Sequence, residues 1–164
     1  MGRQTKIQNT DLAYIAGFLD GDGSVMVQVK KTKARLKGWR LMFTICFYQD
    51  TRHERPLFWI CNKLGIGYIS RRNDGITELR INGYEQTRQI LERLYPWIKF
   101  KKKQIDYVLG ILKLLKANRN LSELKEKERI KIANAIWKAR QETYQSGLKK
   151  MKKLRADLKK IIEM

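Results

Sequence analysis

Two aspartates, Asp20 and Asp22, stand in the segment DGDGS at residues 20–24, directly after an apolar helical pattern. A helix C-terminus carries partial negative charge and unpaired carbonyls, so a carboxylate there builds a hard, all-oxygen site for a divalent cation. Asp22 and the backbone carbonyl of Gly21 are therefore candidate metal ligands, with phosphate and water completing the shell, whereas Asp20 reads as a cap or structural group. Ala13, Gly17 and Gly21 recur at i, i+4, i+8, a smooth stripe where a second backbone can approach closely. Two copies paired through it would bring two carboxylates together, and such a cluster can hold metal ions that activate water and stabilise charge on a phosphate. Two other readings fail on spacing. An EF-hand loop from Asp20 needs Gly at its sixth position and Glu at its twelfth, where the chain has Val25 and Lys31. GIGYIS at 65–70 ends on Ser70 where a dinucleotide-binding loop needs glycine.

The charge of the chain narrows what such a site meets. Lys and Arg number 36 against 16 Asp and Glu, a formal charge of +20 on 164 residues. A polyanion relieves the self-repulsion of such a chain, and nucleic acid leads because each neutralised phosphate releases condensed counterions. The basic groups are clustered: KKTKARLKGWR at 30–40 holds six, KFKKK at 99–103 four, and LKKMKKLRADLKK at 148–160 seven against Asp157 alone. An anionic membrane surface fits less well, since the last run lacks the Trp and Phe anchors of an interfacial helix. Hydrophobic residues at 43% and aromatics at 10% supply a core, which excludes a disordered basic tail. No apolar run approaches the ~18 residues that span a bilayer, and MGRQTKIQNTD has no apolar leader segment. Cys46 and Cys61 have no partner pair, which argues against a disulfide framework or structural zinc. The length fits one domain over 1–164, with a core at about 9–145 and a basic helical extension at about 146–164.

The elements that must carry these residues follow from periodicity. Thr10 is an N-cap candidate, Asp11 suits the first turn, and Leu12, Ile15, Ala16 and Leu19 make one apolar helix face ending at DGDGS. The period then switches to two. Val25, Val27 and Val29 alternate with polar neighbours, and so do Leu41, Phe43, Ile45 and Phe47, giving two half-buried antiparallel strands. A second helix is expected near 53–64. A hairpin follows, GYISRR and TELRIN around Asn73-Asp74-Gly75, and helices are expected at 84–95 and about 101–162, with Pro96 between them and Gly147 marking a further break. The fold class is α+β, in the order αββαββα with C-terminal helices.

Residues 15–23, IAGFLDGDG, preceded by Leu12-Ala13-Tyr14, resemble the signature helix of the LAGLIDADG homing endonucleases, in their single-motif, intron-encoded, homodimeric branch. The element order to about residue 145 resembles that family's core, in which antiparallel hairpins form a DNA-binding saddle. The resemblance implies a site-specific, divalent-metal-dependent endodeoxyribonuclease. It would cut both strands of a long pseudo-palindromic target, leave short 3′ overhangs and promote intron mobility. It implies Mg2+ or Mn2+ as cofactor, with Ca2+ supporting binding without cleavage. The implied partners are double-stranded DNA and a second copy of the chain, with no membrane and no small-molecule substrate, in an intracellular setting such as a chloroplast or mitochondrion.

Carried over residue by residue, Asp22 holds metal, Gln49 orients the attacking water, and Lys101, with Lys99 as neighbouring candidate, stabilises charge at the phosphate. The family's peripheral arginine has no match, since His53 stands there with Arg52 beside it. Lys138 and Arg140 are the candidates for a peripheral lysine. Ala13, Tyr14, Gly17, Phe18 and Gly21 form the implied dimer interface. Strands of this kind lie in the major groove as β-ribbons. The outer-face residues expected to meet DNA are Ser24, Met26, Gln28, Lys30, Thr32, Arg35, Arg40, Met42, Thr44, Cys46 and Tyr48, then Tyr68, Ser70, Arg72, Glu78 and Arg80 from the second hairpin. Arginine there suits guanine, Gln28 adenine and Glu78 a cytosine amino group. The rival classes are an RNA-binding intron maturase and a non-catalytic DNA-binding module. Asp22, Gln49 and Lys101 favour the enzyme, because a binder has no use for a carboxylate aimed at phosphate.

Overall fold

The first helix, α1, runs Asn9–Asp22 and passes without a loop into strand β1, Gly23–Lys31. The computed structural model describes residues 7–31, 38–115, 121–143 and 147–164, so Thr32 and Arg35 lie outside the described residues. The helix starts earlier than Thr10 suggested. Gln8 stands at its N-cap and its carbonyl accepts the Leu12 N–H at 3.1 Å, which puts Thr10 inside the first turn. Its abrupt end is steric. Gly23 has ordinary extended backbone, but a Cβ there would lie 2.6 Å from the Leu19 side chain and 2.8 Å from its backbone. Glycine is therefore what lets the chain turn into the strand directly after Asp22.

Strand β2 runs Trp39–Asp50, helix α2 Arg55–Leu64, β3 Tyr68–Arg71, β4 Ile76–Asn82 and α3 Tyr84–Leu94. The strands form one sheet in the order β1-β2-β4-β3. In the antiparallel β2–β4 pair Ile45 faces Ile81 and Phe47 faces Leu79. One compact unit takes the chain to Val25 together with Thr44–Phe100. Ile15, Ala16 and Leu19 of α1, Ile45 and Phe47, Leu57 and Ile60 of α2, Leu79 and Ile81, and Leu91 and Leu94 of α3 are buried in it. Asp11 binds Lys63 of α2 at 2.7 Å, and α1 also packs on α3 and the 3-10 turn Tyr95–Trp97 that Pro96 shapes. The hairpin turns at Gly75, whose φ of +81° is a conformation that only glycine takes easily.

The second unit holds Met26–Phe43 and Lys101–Met164. Its helices are α4, Lys102–Leu115, α5, Glu126–Gln141, and α6, Leu148–Ile162, the last starting after Gly147 as the sequence suggested. Among the described residues the expected continuous stretch up to Gly147 is nevertheless two helices, with a 3-10 turn at Leu121–Glu123 before α5. One unbroken helix would leave the Ile105/Val108/Ile111/Leu112/Leu115 face uncovered. Folding back lays it against Ile132, Ala133, Ile136 and Ala139 of α5, which packs in turn on Leu158 and Ile161 of α6. A reciprocal cap starts α5, as Glu128 accepts the Lys125 N–H at 3.0 Å while its own N–H reaches the Lys125 carbonyl at 2.9 Å.

Candidate active site and nucleic-acid face

The two aspartates of the motif part company at once. Asp22 is exposed on the last turn of α1, where there is no basic residue, and among the described residues it makes no hydrogen bond or ion pair. Asp20 is only 7% exposed, and one of its oxygens accepts the backbone N–H groups of Lys99 at 2.6 Å and Phe100 at 3.1 Å. The free carboxylate at a helix C-terminus beside the Gly21 carbonyl is an oxygen-only donor set, which fits a hard divalent cation. Among the described residues no three His, Cys, Asp or Glu side chains converge.

Gln49, next to last in β2, lies opposite Thr77, in the unit that holds Asp22. Its Oε1 accepts the Asp50 N–H at 2.9 Å, which fixes the amide plane and leaves the NH2 group available. Sequence reasoning missed the role of the neighbouring acid. Asp50 accepts the Arg52 backbone N–H at 2.8 Å and holds its guanidinium at 3.0 and 2.9 Å, capping the short 3-10 turn Thr51–His53. An aspartate two residues before an N–H it can cap is the signal that could have found it. The segment is fastened from behind as well: Thr51 and Thr77 hydroxyls lie 3.0 Å apart, and the Glu54 carboxylate takes the Thr77 hydroxyl at 2.7 Å and the Arg71 Nε at 2.9 Å. His53 is exposed. Lys101 opens the second unit and its carbonyl accepts the Ile105 N–H at 2.9 Å, starting α4. Of the peripheral lysine candidates, Lys138 lies over the Tyr107 ring at 6.0 Å, and Arg140 is half-buried near the end of α5.

The face expected to meet DNA has depth that alternation did not reveal. In the second unit Lys30 and Arg40 are exposed, Met26, Gln28 and Met42 are half-buried, and Lys31 lies over the Trp39 ring at 5.6 Å. In the first unit three expected contact residues need correction as direct readers. Thr44, Cys46 and Glu78 are 2%, 0% and 4% exposed, because their cross-strand neighbours cover them. Cys46 lies opposite Arg80 and Glu78 opposite Tyr48 and Ser70, while Thr44 donates to Asn82 Oδ1 at 2.7 Å. Asn82 in turn donates to the Tyr68 hydroxyl at 3.2 Å, and Ser24 and Tyr48 hydroxyls lie 2.9 Å apart.

Glu78 binds Arg80 Nε at 2.6 Å and Arg72 Nη1 at 3.1 Å. Burial alone would push its carboxyl up, but the two guanidiniums outweigh it and hold the group below its ordinary value. Burial likewise pushes the Cys46 thiol and the Tyr48 hydroxyl up, so both stay neutral at physiological pH. The polar ends that remain on this part of the face are Ser24, Tyr48, Tyr68, Ser70, Arg72 and Arg80, with Tyr68 and Arg72 the most open. The outer side of α1 is also open. Gly17 and Gly21 are exposed, and a Cβ at either would meet no atom within 4 Å. Ala13 and Phe18 are half-buried, while Tyr14 is 54% exposed with its ring edge-on to Trp59 of α2 at 5.4 Å.

A family model described as LAGLIDADG endonuclease matches residues 15–113, more than half the chain, from within α1 into α4. The chain is 32% identical over 114 residues to the DNA endonuclease I-CvuI of Chlorella vulgaris, covering 70% of this chain and 71% of that one. It is 31% identical over 111 residues to the DNA endonuclease I-CreI of Chlamydomonas reinhardtii, covering 68% of each. A crystal structure of I-CvuI in complex with its target, in the presence of 2 mM Ca, superposes with a TM-score of 0.76 at 27% identity, over 93% of this chain and 94% of that one. Motif, element order and fold agree: the chain belongs to the LAGLIDADG family of site-specific DNA endonucleases.

Proposed function

We propose that the chain acts as a homodimer that cuts both strands of a long pseudo-palindromic DNA, leaves short 3′ overhangs and thereby promotes mobility of its intron. The observation that carries this is the open side of α1. A helix whose inner residues Ile15, Ala16 and Leu19 are fully buried leaves Gly17 and Gly21 bare and Tyr14 half in water, next to the Asp22 carboxylate, which has no partner among the described residues. A second α1 seated there covers the face and doubles the carboxylate, and two cuts need two carboxylates.

Asp22 and the Gly21 carbonyl would hold the divalent cation, Mg2+ or Mn2+, with Ca2+ supporting binding alone. Such an ion, when bound, supplies an acidified water and charge stabilisation at the phosphate. Gln49, its amide fixed by Asp50 N–H, orients the water through its free NH2. The Lys101 ammonium stabilises negative charge developing on the phosphate. Lys30, Arg40, Arg72 and Arg80 neutralise phosphates or read base edges.

The test is magnesium-dependent linearisation of a plasmid carrying the intron-free host gene. Binding to the intron RNA with no cut in any DNA would replace the enzyme by a maturase. For the dimer, sedimentation of Gly17→Leu should show monomers or aggregates where the wild type sediments as a dimer, since a bulky side chain would separate the helices. Wild-type protein that stays monomeric on its DNA site would end the homodimer reading.

A further inference from the structure

We infer that Asp20 is a positioning residue for Lys101, clamping the backbone from which that lysine leaves. The inference rests on the role of Lys101 given under the proposed function. A carboxylate in the last turn of a helix meets the negative end of the dipole, so helix stability does not explain Asp20. Nor does water, because the residue is 7% exposed, and a buried charge persists only where hydrogen bonds satisfy it. Its Oδ2 takes the N–H groups of Lys99 at 2.6 Å and Phe100 at 3.1 Å, joining the motif helix to a turn some 80 residues later in the chain.

The side chains at the tip of that turn pack little. Ile98 is buried, but the Phe100 side chain is 86% exposed and Lys99 is exposed as well. The two amide bonds to Asp20 therefore hold backbone at 99 and 100 whose side chains face solvent. Lys101 is bonded directly to the second clamped residue, and its carbonyl takes the Ile105 N–H at 2.9 Å to begin α4. Its backbone is thus pinned on both sides, by a carboxylate before it and a helix after it. The helix that presents the Asp22 carboxylate also fixes, two residues earlier, the strand of backbone that leads into the lysine. A misplacement of about 1 Å in such a group lowers rate by about 100-fold while leaving binding alone.

Asp20→Asn keeps one acceptor oxygen and the side-chain shape while removing the charge that grips two donors. Single-turnover cleavage of the target should fall by about 100-fold with DNA affinity unchanged. Hydrogen exchange at the Lys99 and Phe100 amides should quicken. Lys101→Met should be slow by itself, and the double variant Asp20→Asn/Lys101→Met should cleave no more slowly than Lys101→Met alone, because a positioning residue has nothing left to position. A purely structural clamp predicts losses that multiply, and that result overturns the inference. So does Asp20→Asn cleaving at the wild-type rate. Lys101→Met cleaving at the wild-type rate is a separate failure, visible in the single variant, that removes the role of the lysine and this inference with it. Should Asp20→Asn fail to fold, an amide-to-ester replacement at Phe100 deletes only the weaker donor. The same cycle with Lys101→Met then separates positioning, where the losses do not add, from a structural clamp, where they multiply.

Discussion

Asp22 at the end of α1 and Glu78 in the middle of β4 are both acids on a chain of charge +20, in the same compact unit, yet their surroundings are opposite. Asp22 is exposed, on a helix turn with no basic residue, and has no partner among the described residues. Glu78 is 4% exposed and grips two arginines. Other acids on this basic surface are paired: Asp50 holds Arg52, Glu54 holds Arg71, and Glu85 and Glu92 share Arg88. An acid left unpaired amid so much positive charge is available to something from outside. An acid buried between guanidiniums organises them instead. Chemistry should therefore follow Asp22, and recognition should follow Glu78.

The sharpest way to break that contrast is Asp22→Asn. The amide keeps the shape but removes the charge that attracts a hard cation. Cleavage should fall by orders of magnitude under single-turnover conditions, while target affinity holds or rises, because one negative charge near phosphate is gone. Calcium should mimic the variant in wild-type protein, giving the complex without the cut. Thermal melting should hold or rise slightly, since Asp22 has no partner among the described residues and its charge opposes the negative end of α1. Near wild-type cleavage by a folded Asp22→Asn would take the metal away from this residue.

The difference between these two acids was half legible in the sequence. The spacing of DGDGS after an apolar helix, and the match of IAGFLDGDG to a signature helix, pointed to Asp22 directly, because a motif is local. Periodicity two found the strands for a similar reason, and Pro96 and Gly147 marked true breaks. Depth on a sheet face is not local. Thr44, Cys46 and Glu78 alternate as outward residues should, yet they are buried because the register sets Asn82, Arg80 and Tyr48 opposite them. Register depends on which strands pair, and single-strand periodicity is silent on that. The Asp20 clamp lies further still from view, since it joins positions about 80 apart through backbone amides that carry no residue identity. The separation of α4 from α5 follows from apolar faces that need cover, which composition leaves open.

Recognition is the next place to press. Arg72→Ala should relax discrimination at one base pair and its symmetry mate by about 1–3 kcal/mol. Glu78→Gln should spread a similar loss over the contacts of both Arg72 and Arg80, because it frees both guanidiniums while adding no clash. The acid form of wild-type protein should behave alike. Glu78 has a folded-state pKa below its unfolded one, so its contribution to stability is present above the unfolded value near ~4.3 and is lost as pH falls through the folded value. Measured across a library of target variants, Glu78→Gln with unchanged specificity would leave Glu78 a fold residue only. Cleavage chemistry on a preferred site should be nearly untouched, the reverse of Asp22→Asn.

The smallest effect is expected at Asp50, an acid that is paired but not buried. It is bonded to Arg52 by the backbone N–H and two guanidinium nitrogens, which hold its carboxyl well below the usual carboxylate range. The sign follows from the depressed value: the pair helps stability above the unfolded pKa of about 3.9 and loses that help as pH drops below it. The magnitude is limited because both side chains face solvent, Arg52 at 81% exposure, where salt screens the attraction. Asp50→Asn keeps the oxygen that caps the Arg52 N–H and keeps the Asp50 N–H that fixes Gln49. Its melting temperature should match wild type at high salt, differ only slightly at low salt and neutral pH, and converge again below the carboxylate range. Cleavage should persist at close to the wild-type rate. A loss at Asp50→Asn as deep as that at Asp22→Asn would show that a carboxylate already paired with arginine can matter as much to the chemistry as a free one, and the contrast between the two kinds of acid would collapse.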